Sequence, residues 1–97
     1  MELIQMNPKK AEKISKALSD PHRLRIIQEI KTQDDILFCC ELDKVLNLSQ
    51  PSICHHLKIL TDTELITPEK EGRYVKYRLN HEVLDAYISF LQSFVNA

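Results

Sequence analysis

The stretch LSQPSICHHLKIL, residues 48–60, decides the fold. Ser49 is a good helix cap, and Pro51 falls in the first turn, where its missing N–H costs nothing. Ile53, Leu57 and Leu60 recur at i, i+4 and i+7, one side of a helix. At about 100° per residue, the opposite side carries Pro51, Cys54, His55 and Lys58. Gln50 and Ser52 lie in the first turn. A short helix with an oily back and a polar front, entered through the turn Asn47-Leu48-Ser49, fits the second helix of a helix-turn-helix. The outer face of such a helix enters the major groove of DNA. Gln50 suits adenine through two hydrogen bonds, Ser52 suits several base edges, and Lys58 suits a phosphate.

Upstream, two segments start alike. In NPKKAEKISKALS, Asn7 caps and Pro8 takes the first helical position, with Ala11, Ile14, Ala17 and Leu18 at helical spacing. In DPHRLRIIQEI, Asp20 caps and Pro21 starts the turn. Leu24, Ile27 and either Ile30 or Ile26 are expected to face inward. KTQDD is polar and predicts a loop. ILFCCELDKVL then predicts a third helix with Leu42, Val45 and Leu46 on its buried face.

Downstream, the period changes. LITPEK and RYVKYRL are rich in branched and aromatic residues. They flank EG, and Gly72 is the only glycine in the chain, so the pair predicts a β-hairpin. Lys70, Arg73, Lys76 and Arg78 line it, and Arg73 can reach a phosphate or an adjacent minor groove. A solvated hairpin of alternating charge is the plainer alternative. NHEVLDAYISFLQSFV predicts a last helix capped by Asn80, with Val83, Leu84, Tyr87, Ile88, Leu91, Phe94 and Val95 apolar. The order of helices, hairpin and final helix predicts a winged helix-turn-helix, mainly α with a small β element.

Bulk properties agree. The 97 residues fit a single domain spanning 1–97, and 43% apolar residues supply a core. The net charge of -1 gives no global attraction to nucleic acid, so any DNA surface comes from local clustering. No export signal is evident at the start, and no run of roughly 20 apolar residues spans a membrane. We therefore expect a cytoplasmic protein with no membrane partner. Three cysteines, an odd number, argue against a disulfide framework.

ALSDPHRLRIIQEI, CCELDKVLNLSQPSICHHLKIL and ELITPEKEGRYVKYRLN together resemble the arsenic-repressor (ArsR/SmtB) family of bacterial transcription regulators. The resemblance covers roughly residues 17–80. Ser49-Gln50-Pro51, His56-Leu57 and Tyr77-Arg78-Leu79 are its most specific parts. It implies a homodimer, joined through the first and last helices, that binds operator DNA and leaves it when an effector binds, often a metal ion. The outward face of the segment and the hairpin together make Ser49, Gln50, Ser52, His55 and Lys58 the candidate DNA-binding residues, with Lys70 and Arg73 on the wing. The apolar residues around more than one face of the last helix support a dimer independently, because a monomer would expose them as a patch.

Several family members carry Cys-Val-Cys at the start of the third helix, whose thiolates bind arsenite or soft divalent ions. Aligned on Ser49-Gln50-Pro51, this chain has Phe38-Cys39-Cys40, so the first thiolate position is lost and the second is kept. No cofactor is required, and As(III) or a soft divalent metal ion is the expected effector. Cys40 is the better thiolate, facing outward with Lys44. Cys39 sits near the buried face and also fits a small core residue. Cys54 fits either a third thiol or a small groove-facing residue. Oxidation or persulfidation of a thiol at the DNA face is an alternative signal, and a regulator with no metal effector is another. The family's second metal site, on the last helix, is not reproduced by His81, Glu82 and Asp85, so no zinc is expected there. His55 is expected to face DNA, His56 to pack on the flank, and His22 to be a first-turn helix residue. Cysteine beside histidine could signal an enzyme, but no third orienting group or glycine-rich loop accompanies them. A winged helix serving only protein contacts remains a further class.

Overall fold

The computed structural model describes residues 5–96. Residues 1–4 and 97, which the single-domain expectation also takes in, lie outside them. The two amino-terminal helices begin as their caps predict. Before α1 (Pro8–Ala17) the Asn7 side chain accepts the Lys10 N–H at 2.9 Å. Before α2 (Pro21–Thr32) the Asp20 side chain accepts the His22 N–H at 2.8 Å. Helix α2 ends in a sharp reversal. Asp34 and Asp35 take φ of 57° and 70°, and the Asp35 N–H returns to the Ile30 carbonyl at 2.8 Å.

The next segment departs from the expected single helix. It comprises strand β1 (Ile36–Phe38), a 3-10 turn (Cys39–Glu41) and a short helix α3 (Asp43–Leu46). The helical spacing of Leu42 and Leu46 is real, and both are buried. Upstream of them, Ile36, Leu37 and Phe38 are branched or aromatic and gain a ladder to a distant strand, opposite Arg78, Tyr77 and Lys76. That partner is more than thirty-five residues away, so local periodicity does not reveal it.

After α3, Asn47 takes the left-handed conformation with φ 52°, which asparagine tolerates better than most residues. Ser49 then caps α4 (Gln50–Asp62) by accepting the Ser52 N–H at 3.4 Å. Ile53, Leu57 and Leu60 are buried, as their spacing predicts. Strands β2 (Ile66–Glu71) and β3 (Tyr74–Leu79) form the hairpin, with Gly72 at φ 63° as the first of its two loop residues. The sheet order is β1-β3-β2, so the expected two-stranded wing has a third strand. Pro68 stands on β2, an edge strand, the place in a sheet where proline is tolerated.

Helix α5 (His81–Gln92) is capped by Asn80, whose side chain accepts the Val83 N–H at 3.3 Å. Ser93–Val95, expected as helix, wind instead as tight turns, with the Phe94 and Val95 N–H groups reaching back three residues at 3.1 and 3.0 Å. One core gathers Ala11, Ile14 and Ala17, the inner faces of α2 and α4, Leu65, Ile66 and Leu79, and Val83 and Tyr87. The α2 face differs from expectation at Leu24 alone. Ile26 and Ile30 are fully buried, Ile27 is half-buried, and Leu24 is 46% exposed. Both sets obey helical spacing, and packing against α4 and the sheet selects the second. The architecture is a mainly α winged helix-turn-helix of the α+β class. Among the described residues no helix is long and apolar enough to cross a membrane.

Candidate nucleic-acid interface

Burial of Ile53, Leu57 and Leu60 turns the other side of α4 outward. Gln50, Cys54, His55 and Lys58 are exposed, and Ser52 is half-buried. Ser49 is exposed at the cap, and its hydroxyl donates to the Ser52 hydroxyl at 3.0 Å. Lys58 lies 3.7 Å from Asp62, so this face holds little unbalanced positive charge. Its chemistry is hydrogen bonding by short polar side chains, which suits base edges better than phosphates.

The wing divides its cations. Lys76 pairs with Glu71 at 3.1 Å and Glu69 at 3.7 Å, and Arg78 reaches Glu69 at 3.0 and 3.4 Å. The Arg78 guanidinium holds the Glu69 carboxyl below its usual range. These two cations, expected to line the wing, are therefore balanced by acids on the facing strand. Lys70 and Arg73 are exposed near the turn, and among the described residues neither has an ion-pair partner. They are the wing cations available to a polyanion.

Sequence reasoning missed the support behind α4. The Arg23 Nε donates to the Ala17 carbonyl at 2.6 Å, Nη1 lies 3.1 Å from His56 Nδ1, and Asp20 is 3.9 Å away. One guanidinium thus ties the end of α1 and the start of α2 to α4. Burial pushes the His56 imidazole below its ordinary value, with Arg23 adding to the effect and Asp20 opposing it. A neutral ring accepts from Arg23 at Nδ1. His56 is half-buried, as its flank position predicts, and His22, in the first turn of α2 as expected, also packs its ring against it at 5.6 Å between centroids. The run Asp20-Pro21-His22-Arg23 carried the signal, but nothing local marks the contact from Arg23 to His56.

The thiols of Cys39 and Cys40 divide as expected. Cys40 is exposed in the 3-10 turn, while Cys39 is half-buried against the core. The Gln50 Nε2 lies 3.6 Å from the Cys39 sulfur and 3.6 Å from the Cys54 sulfur. The side chain expected to read bases thus donates to two thiols on different elements. Burial pushes the Cys39 thiol up, so it is held protonated. The Tyr77 hydroxyl is also pushed up by burial, and both thiols add to that shift from nearby. Among the described residues, no three His, Cys, Asp or Glu side chains come together to hold a metal ion. The three cysteines therefore do not form one three-ligand site in this conformation. At the last helix, His81 Nε2 sits 2.7 Å from Asp35 Oδ2, so its partner is the α2–β1 turn.

A helix-turn-helix with an exposed polar face on its second helix, backed by a charged hairpin, defines a class of DNA-binding proteins. The sequence model of a family described as "Helix-turn-helix domain" matches residues 18–69. The chain is 42% identical over 80 residues to the arsenical resistance operon repressor of Staphylococcus xylosus, covering 82% of this chain and 75% of that one. It is 36% identical over 83 residues to the transcriptional repressor SdpR of Bacillus subtilis (strain 168), covering 86% and 90%. The crystal structure of an ArsR family transcriptional regulator superposes with a TM-score of 0.82 at 24% identity, covering 96% and 94%, and shares the fold. The protein belongs to the ArsR family of winged helix-turn-helix, DNA-binding transcriptional repressors. It is a regulator and not an enzyme.

Proposed function

We propose that this chain works as a homodimeric repressor that holds operator DNA and lets go when a soft metal or metalloid meets its cysteine thiols. The single domain would supply reading helix and wing, with α1 and α5 as dimerisation helices. The observation that carries the reading is the outward face of α4, where Gln50, His55 and Lys58 are exposed opposite a fully buried apolar row. Ser49, Gln50 and Ser52 would meet the operator at the start of that helix, with His55 and Lys58 further along. Lys70 and Arg73 would grip backbone phosphates beside it. A twofold pair would place two such helices about 34–36 Å apart on a near-palindromic site.

The name of the Staphylococcus xylosus relative, an arsenical resistance operon repressor, supports an arsenical or soft-metal effector, and so do exposed thiols beside the reading face. A coupling of about 1–3 kcal/mol would change operator affinity roughly 5- to 150-fold. Selection of bound sequences from a random DNA pool, run with and without arsenite or cadmium, tests both parts. The expected result is a near-palindrome whose enrichment fades with effector. Absence of any enriched sequence would refute the operator reading, and enrichment unmoved by every thiol-binding effector would refute the sensing.

A further inference from the structure

We infer that Cys39 and Cys54 form a dithiol site for a soft electrophilic centre with two exchangeable positions, and that filling it displaces Gln50 from the reading face. The inference rests on the effector reading above and names its site and its ligand class. Two 3.6 Å legs from one amide nitrogen place the two sulfurs at most twice that distance apart. Metal–thiolate bonds of about 2.3 Å would need sulfurs roughly 4.6 Å apart in a linear bridge. That separation lies within the bound, and Cys54 is exposed and free to adjust.

Ligand number follows from the surroundings. No third His, Cys, Asp or Glu among the described residues joins the pair, and Cys40 is not among the sulfurs that Gln50 holds. Two thiols match a centre with two exchangeable positions. A monosubstituted trivalent arsenical, R–As(OH)2, forms two As–S bonds, and the thiol protons leave with its two hydroxyls as two waters. Arsenic stays trivalent, so no oxidant is needed. Mercuric ion does the same with release of two protons. Arsenite, with three exchangeable positions, would retain one hydroxyl here.

The consequence for reading is direct. The Gln50 amide shares the space around both sulfurs and donates to each. A centre bonded to both would enter that space and remove its acceptors. Cys54 lies one turn from Gln50 on α4, whereas Cys39 follows β1, so the bridge also ties the reading helix to the sheet.

The test uses the reduced full chain. One equivalent of phenylarsine oxide, or in a second arm mercuric chloride, is added before iodoacetamide, and peptide masses identify the shielded thiols. The expected result is one ligand per chain, with Cys39 and Cys54 shielded and Cys40 alkylated. Cys54→Ser should abolish retention of the ligand, and Cys40→Ser should keep it. Gln50→Ala should bind phenylarsine oxide several-fold more tightly, because no amide must be moved. Shielding of Cys39 together with Cys40, or full retention in Cys54→Ser, overturns the site. Operator release is followed separately by fluorescence anisotropy. Release with Cys40 shielded instead of Cys54 defeats the dithiol site and leaves the effector reading intact. Shielding of Cys39 and Cys54 without release upholds the site and defeats the effector reading. Capture in one arm alone assigns the ligand to arsenical or to metal.

Discussion

Gln50 is proposed to carry two duties on one amide. It stands exposed in the first turn of α4 and donates to two sulfurs. A bidentate contact to adenine contributes about 1–3 kcal/mol of discrimination. We therefore expect Gln50→Ala to weaken the selected operator by that amount and to relax preference at one position, measured by competition among single-base variants. Arg73→Ala should act differently, lowering affinity for all sequences and reducing the salt slope by about 1. His56 sets a pH dependence. Its folded value lies below the ordinary 6.5, so between the two values the unfolded chain binds more protons. The stabilisation is present above pH 6.5 and is lost as pH falls through the folded value. Denaturant melts should show stability declining on acidification from pH 7, and His56→Gln should flatten that decline.

At the scale of elements, the turn between α3 and α4 depends on Asn47 at φ 52°. An alanine there has no such tolerance, and a left-handed residue costs roughly 1–2 kcal/mol. Asn47→Ala should lower the denaturation midpoint accordingly, while Asn47→Gly should be tolerated. The α4 segment was legible because one helix carried every cue, from cap to apolar row. The hairpin was legible because the only glycine separates two branched, aromatic runs. β1 was not, because its reason for being extended lies on β3. On α2 only Leu24 departs from the inward set, for a related cause: it fits a helical stripe with Ile27, and distant partners placed the centre of the face at Ile26 and Ile30 instead. The same limit hid the contact of Arg23 with His56 and the meeting of Cys39 and Cys54 at the Gln50 amide, which join segments with no shared spacing.

At the scale of the whole molecule, four exposed large apolar residues follow one another along the end of α5 and the turns after it, apart from Leu24 and Tyr74 elsewhere. Ile88 and Leu91 are each more than two-fifths exposed, Phe94 is 71% exposed and Val95 is 82% exposed. Phe90 and Phe94 pack edge to face at 5.2 Å. Such a patch fits the proposed subunit contact. Leu91→Glu combined with Phe94→Glu should yield a folded monomer by sedimentation, with operator affinity sharply reduced because one half-site replaces two. The sheet offers no rival route to self-assembly. Its outer strands are a three-residue stub on one side and, on the other, a strand interrupted by Pro68, which has no N–H to offer, and ending in charged side chains. A free ladder edge of that kind is a poor template for another chain. Strand addition into filaments is therefore disfavoured at both margins, and the proposed association would fall to the oily helix end, where a twofold pairing closes on itself.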